Sequence, residues 1–281
     1  MACCLIDLFL VKLVLAFIVG SIWITATTIV AERFGSKIGG LIGGLPSTSA
    51  LALFFIGFSQ SAHAASLSAI IVPIMMGING VFLLTYAVLA KKRGFSLSFL
   101  TALLVWFSLA TVIILLNVHN ILIAIALYLP LAIFVYYVLE VRLKLKSLVR
   151  IKIKYTEMGI LIRALFAGAV IAFAVLMGRY GGPVFGGVFS GFPAVFISTL
   201  VITNRTGGIE FSRSITKPLA VSGLITSVAY SIAVSQLYPV IGIWYGSVVA
   251  YLICVPFAYA TYLFIKAKRI PRELPVQLAV Q

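Results

Sequence analysis

Two basic side chains lie at matching positions in apolar stretches and are the first candidates for binding an anion. Lys12 stands in the run Leu-Val-Lys-Leu-Val-Leu-Ala at 10–16, and Arg163 in the run Leu-Ile-Arg-Ala-Leu-Phe-Ala at 161–167. A cation inside a membrane segment is costly and often marks a substrate pathway. The alternative is a structural anchor, because a side chain about 6–8 Å from a helix start reaches the membrane surface. The repetition of the two residues keeps the binding interpretation open.

A glycine-rich phrase that ends in proline occurs twice. Residues 40–46 read Gly-Leu-Ile-Gly-Gly-Leu-Pro, and residues 187–193 read Gly-Val-Phe-Ser-Gly-Phe-Pro. Proline interrupts the helical hydrogen-bond ladder, and glycine weakens a helix. A repeated break inside apolar segments is the best sequence indication of a transport site. The alternative is a surface of small residues that lets two helices pack closely.

Hydroxyl side chains follow the first phrase directly. Ser47, Thr48 and Ser49 come after Pro46, whereas Ala194 follows the second phrase and Ser198 and Thr199 come one turn later. Hydroxyls and free N–H groups at a helix start attract anions. The predicted substrate-binding residues are therefore Lys12, Gly43, Gly44, Pro46, Ser47, Thr48, Ser49, Arg163, Gly191 and Pro193.

Composition predicts an all-α polytopic membrane protein. The chain has 281 residues, of which 63% are hydrophobic and 10% charged, a balance that excludes a soluble globular domain. The formal net charge of +15 would suit nucleic acid, but basic loops that orient a membrane protein explain it better, so no nucleic-acid partner is expected. The expected partner is the lipid bilayer, and a homo-oligomer is compatible with the sequence.

Apolar runs long enough to cross a bilayer predict about nine transmembrane helices. They fall at 8–31, 39–59, 67–90, 97–116, 121–139, 158–178, 184–203, 219–238 and 240–265. With the N-terminus outside and the C-terminus in the cytoplasm, all but three of the 21 basic residues lie in inner loops or in the tail. The exceptions are Lys12, Arg163 and Arg179. This alternation predicts a multi-pass protein of the cell membrane.

The two phrases then predict an inverted repeat of four, one and four helices. They open helices 2 and 7, which cross the membrane in opposite directions. The predicted units are a first repeat at 1–118, a linker helix with a basic loop at 119–157, and a second repeat with a short tail at 158–281. Inverted repeats are typical of secondary transporters. A channel made by fusing two copies of a dual-topology protein has the same arrangement.

The second half resembles the GlpM family of small integral membrane proteins. The resemblance rests on the basic helix start at 161–167, the phrase at 187–193 and the segment Ile-Thr-Asn-Arg-Thr-Gly-Gly-Ile-Glu at 202–210. It covers about 158–262. The first half has Lys12 and its own phrase, but its loop at 59–66 lacks Gly-Ile-Glu. The resemblance implies two fused units of about four helices each and gives no substrate.

Catalytic and metal chemistry is not expected. The six acidic residues lie at predicted helix ends or in loops, His63 and His119 are far apart, and the three cysteines have no metal-ligand spacing. We therefore expect no enzyme, no cofactor and no metal site. The expected function is a transporter or exporter of a small or amphipathic anionic substrate, bound between the breaks of helices 2 and 7. The alternatives are a passive channel and a membrane scaffold that transports nothing.

Overall fold

The computed structural model describes residues 2–33, 45–145 and 156–267, and these ranges are helical with no strand. The helices are α1 (Ala2–Arg33), α2 (Ser47–Ser59), α3 (Ala62–Leu116), α4 (Ile121–Tyr137), α5 (Glu157–Tyr180), α6 (Pro183–Ser190) and α7 (Ala194–Ala267). A π-helical turn, Val138–Arg142, continues α4.

Helices α3 and α7 are too long for single spans, and glycines divide them. Fifty-five helical residues would extend about 80 Å at 1.5 Å per residue. Gly94 interrupts α3 with φ 74° and ψ 176°, and α7 is interrupted by Gly208 (φ 72°, ψ −174°) and Gly242 (φ 75°, ψ 175°). A side chain is strongly disfavoured in this backbone conformation, which is why glycine occupies these turns. The described chain therefore reverses direction without a loop at these points.

Contacts on either side of each glycine show the reversal. Across Gly94, the rings of Tyr86 and Phe95 lie 5.8 Å apart, and Trp106 reaches back to Asn79. Across Gly242, the hydroxyls of Tyr238 and Ser247 are 2.7 Å apart. Each glycine thus joins two antiparallel helices, 62–93 with 95–116 and 209–241 with 243–267.

The outside of the helices is apolar. Leu115 is 79% exposed and Leu122 is 71% exposed, and many other large hydrophobic side chains are exposed as well. In the described ranges, five helical segments are long and apolar enough to cross a membrane, namely Leu8–Val30, Ala62–Leu116, Ile121–Arg142, Glu157–Tyr180 and Pro183–Ile265. Apolar surface of this extent is suited to lipid, and the arrangement is consistent with a multi-pass membrane protein.

The core forms around α3, which packs against α4, α6 and α7, while α1 packs along α5. Glycines permit the α1–α5 approach: a Cβ on Gly20 would lie 2.7 Å from Cδ1 of Ile171. The two helices are antiparallel, because Phe9 near the start of α1 contacts Tyr180 at the end of α5.

Two ends of the bundle differ in charge. One end, the basic face, carries Lys91, Lys144, Arg213 and Lys217, which the contacts between α3, α4 and α7 bring together. The other end, the opposite face, carries Arg179 beside the start of α1. The sequence predicts Arg213 and Lys217 in a loop before a helix at 219–238, but the helix begins at 209 because the Gly208 turn needs no loop.

Candidate functional site

The second glycine–proline phrase forms a break between α6 and α7. Helix α6 ends at Ser190, residues 191–193 are not helical, and α7 begins at Ala194. Short turn hydrogen bonds cross the break, in which Phe192 N–H donates to the Phe189 carbonyl at 3.1 Å and Ala194 N–H to the Phe192 carbonyl at 2.8 Å. Pro193 has no N–H to continue the ladder, so the break follows from the sequence.

An amide side chain from α3 holds this break. Asn79 is 1% exposed, and its Nδ2 donates a hydrogen bond to the Gly191 carbonyl at 2.9 Å. Its Oδ1 accepts from the indole Nε1 of Trp106 at 2.7 Å. The Trp106 ring in turn packs edge-on against Phe192, with centroids 5.0 Å apart. We call Asn79, Trp106 and Gly191 the polar clamp; each of these buried polar groups has a partner, as burial requires.

The clamp lies near the middle of the bundle. Asn79 and Trp106 are about 18–22 Å from the Gly94 turn at 1.5 Å per residue. The hydrocarbon layer of a bilayer is about 30 Å thick. A helix break at that depth is tolerated only where protein covers it or it lines a cavity.

The glycines of the second phrase make close contact with α3. A Cβ on Gly191 would lie 2.6 Å from Cβ of Met75, and one on Gly187 would lie 2.7 Å from Cβ of Ile71. The sequence predicts a substrate site between the breaks of helices 2 and 7, and the structure gives the close neighbour of Gly191 as α3. Gly43 and Gly44, which are predicted to line the helix 2 side of that site, lie outside the described residues.

The first phrase is described only from Leu45 onward. Pro46 is buried and precedes α2 with φ −76° and ψ 67°, and no side chain caps the helix start. The N–H and the hydroxyl of Ser47 both donate to the Leu45 carbonyl, at 2.8 and 3.4 Å. Thr48 is half-buried and Ser49 is buried. The hydroxyls predicted from the sequence thus stand at the start of a helix, beside a buried proline.

Lys12 and Arg163 each contact the helix that follows a phrase. Lys12 Nζ donates to the Phe58 carbonyl at 2.8 Å, and lies 4.9 Å from the centroid of the Phe58 ring. Arg163 Nη1 donates to the Thr199 hydroxyl at 3.1 Å. Both basic side chains are half-buried. Because α1 and α5 are antiparallel and cross near Gly20, the two residues lie on opposite sides of the crossing.

Asn79 and Trp106 are not among the residues predicted from the sequence. The available signal was one amide in the middle of an apolar run of bilayer length, where an unpartnered polar group is costly. No cluster of three or more His, Cys, Asp or Glu side chains fit for a metal occurs in the described part of the chain. The described chain offers instead a carbonyl and an amide bonded to each other at the second break, hydroxyls at the start of α2, and two cations that contact Phe58 and Thr199.

One family matches part of the chain. It is described as a protein of unknown function (DUF3147), and it matches residues 13–119, which is less than half of the sequence. The description assigns no activity and does not support the GlpM family in particular. No curated protein and no solved structure matches the chain.

Proposed function

We propose that this chain is a secondary transporter or exporter of a small or amphipathic anion. The observation that carries the proposal is the α6–α7 break, an unwound segment at mid-bundle depth held by the Asn79 side chain. Discontinuous helices near the bilayer midplane form the substrate sites of many secondary transporters. Non-helical backbone at this depth needs a reason, and a substrate site supplies one.

Nine spans in an inverted repeat are part of the proposal. Dividing α3 and α7 at their glycine turns and joining α6 to 194–207 yields the nine spans. The turns at Gly94 and Gly242 stand between the third and fourth helices of the two halves with nearly equal dihedral angles. The match over 13–119 also ends where the first proposed repeat ends. These features support two equivalent halves joined by α4.

The proposed orientation puts the basic face in the cytoplasm and the N-terminus outside. In a chain whose native cysteines are replaced by alanine, a cysteine at exposed His119 should react with an impermeant thiol reagent added to intact cells. A cysteine at exposed Lys92 should react only after the cells are opened. The reverse pattern would overturn the orientation, and labelling of both sites in intact cells would overturn the number of spans.

Charge is the reason for proposing an anion. Lys12 and Arg163 lie half-buried on opposite sides of the α1–α5 crossing, each beside the helix that follows a phrase. An anion could be drawn in past one cation and released past the other in an alternating-access cycle. The acidic residues lie at the ends of helices or outside the described ranges, so the clamp region offers a cation no carboxylate within the described chain.

The test is transport in proteoliposomes of known orientation. A thermal-shift screen of carboxylates, sulfonates and phosphate monoesters first finds an anion that stabilises the purified protein. Uptake, efflux and counterflow of that anion are then measured for the wild type, Lys12→Gln, Arg163→Gln and Arg163→Lys. We expect each Gln variant to slow transport from a different side and Arg163→Lys to retain part of the rate, because its charge survives.

The same measurement separates the alternatives. Counterflow that accelerates uptake supports a transporter, whereas a flux without counterflow would make the protein a passive channel. Absence of flux for every stabilising anion would favour a scaffold. If the wild type and both Gln variants transport at equal rates in both directions, Lys12 and Arg163 do not belong to the substrate site. Side chains that only anchor helices to the membrane surface do not touch the substrate, so replacing them leaves transport unchanged.

A further inference from the structure

A cavity of about 270 Å³ opens at the basic face, away from the polar clamp. Its charged lining consists of Lys91 at the end of the helix 62–93, Lys144 after α4, and Glu210 and Arg213 on α7. Leu143 and Leu145 complete one wall. Three cations and one carboxylate leave the cavity with a positive surplus, which is the pattern of a binding site for anions.

The backbone after α4 is shaped to form this wall. The π-helical turn ends with the Leu143 N–H donating to the Val138 carbonyl at 2.8 Å, and Lys144 then takes the left-handed conformation with φ 48°. Glu140 in the same turn pairs with Lys217 of α7. A π-turn and a left-handed non-glycine residue are both uncommon and cluster at functional sites. Together they hold residues 143–145 against the cavity.

Arg213 forms the buried base of the cavity. Its Nε donates to the Ala87 carbonyl at 3.0 Å, and its Nη1 donates to both oxygens of Glu210, at 3.0 and 2.8 Å. The side chain is 9% exposed, while that of Glu210 is 64% exposed. Within the described chain these bonds engage Nε and Nη1, which leaves Nη2 for an oxygen of a ligand. A planar guanidinium fixed in this way suits phosphate oxygens.

We propose that this cavity binds a phosphate monoester group. Lys91 and Lys144 are exposed and supply mobile charges, and Arg213 supplies a fixed donor. The group could belong to the headgroup of an anionic phospholipid, whose acyl chains would continue along the apolar wall at Leu143 and Leu145. It could also belong to a free phosphate compound. This site is separate from the proposed transport site, and its existence does not depend on transport.

Binding to purified full-length protein in a neutral detergent tests the proposal. The probes are inorganic phosphate, dihexanoyl phosphatidic acid and, as the zwitterionic control, dihexanoyl phosphatidylcholine. Saturable binding of phosphatidic acid with little response to phosphate assigns the site to a lipid headgroup. Comparable affinity for both phosphate probes assigns it to a free phosphate compound. Equal affinity for phosphatidylcholine and phosphatidic acid, or binding of neither phosphate probe, would overturn the proposal.

Charge variants locate the site. Lys91→Gln and Lys144→Gln should each weaken binding about fivefold, whereas the neighbouring Lys92→Gln, which does not line the cavity, should change it less than about twofold. Glu210→Gln should strengthen binding, because it removes the one negative charge and releases Arg213 Nη1. The three lysines are exposed, so each variant should unfold at the wild-type temperature without ligand. Equal losses of binding in Lys91→Gln and Lys92→Gln, or weaker binding in Glu210→Gln, would exclude this cavity as the binding site.

Discussion

The two glycine–proline phrases have similar sequences, and the structure describes the second in full and the first from Leu45 onward. In the second, the Gly191 carbonyl accepts from Asn79, and Phe192 packs against Trp106. In the first, the described hydrogen bonds at Pro46 are local, such as Ala50 N–H to the Pro46 carbonyl at 3.0 Å. A neighbouring helix thus supplies the polar side chain that holds the second break.

The helices on either side of Gly94 and of Gly242 carry different side chains at equivalent positions. Ser227 stands as many residues before Gly242 as Asn79 stands before Gly94. Cys254 stands as many residues after Gly242 as Trp106 stands after Gly94. Cys254 Sγ lies 3.5 Å from the Thr226 carbonyl, a contact at the same level as the bond between Trp106 and Asn79. A serine is shorter than an asparagine and reaches less far. If the halves are equivalent in backbone, the second break faces a long amide and the first faces a shorter hydroxyl.

Removing the amide should have the largest effect. Asn79→Leu keeps the branched shape of the side chain but leaves the Gly191 carbonyl and the Trp106 N–H buried without partners. We expect the free energy of unfolding to fall by about 2–5 kcal/mol. Ser227→Ala at the equivalent position should cost less than about 1 kcal/mol. Unfolding in mixed micelles measures both, and equal losses would mean that the clamp is not what distinguishes the two breaks.

Adding a side chain at Gly191, where α3 approaches the second phrase closely, should lower the free energy of unfolding by a smaller amount. Gly191→Ala places a Cβ 2.6 Å from Cβ of Met75, so α3 or the break must shift, at a cost of about 1–3 kcal/mol. Gly159→Ala near the start of α5 is the control, because a Cβ there would meet, within the described chain, the Thr156 hydroxyl at 3.1 Å, and alanine favours a helix. An unfolding temperature of Gly191→Ala equal to that of the wild type would show that α3 can move to accommodate the Cβ without loss of stability.

Matched substitutions at the helix turns should have the smallest effects and compare the halves directly. Gly94 and Gly242 have open space where a Cβ would lie, so the cost of Gly94→Ala and of Gly242→Ala is backbone strain alone. We expect about 1–2 kcal/mol for each, with equal values for the two variants. A large loss in one variant and none in the other, measured by the same unfolding assay, would argue against equivalent halves.

The sequence predicts the helical class and the positions of the apolar segments well, because their length and hydrophobicity are local properties. The break at Pro193 was also predictable, since proline interrupts a helix wherever it stands in the interior. The partner of that break was not, because Asn79 lies more than a hundred residues away and only the packing of α3 against α6 joins them. Likewise, Arg213 resembles a loop cation until Glu210 and the Ala87 carbonyl show how it is buried.

The glycine turns also explain where the described helices end. Gly94, Gly208 and Gly242 were not singled out from the sequence, because a glycine in an apolar protein is common and its dihedral angles are not visible in the sequence. Predicted loops at 91–96 and 204–218 consequently shrink to single residues, and Arg213 and Lys217 become helical. The local sequence pattern indicates where a turn lies. The number of residues in the turn depends on how closely the two helices pack.

The one-residue turn at Gly94 bears on how the protein is made. The helices 62–93 and 95–116 have no free chain between them, so they form one helical hairpin. In the proposed orientation the hairpin would enter the bilayer as one unit, with Lys91, Lys92 and Arg93 remaining beside the turn on the cytoplasmic side. The hydrogen bond between Trp106 and Asn79 lies within this hairpin and needs no residue of α6, so the surface that receives the break at Gly191 can form from the hairpin alone.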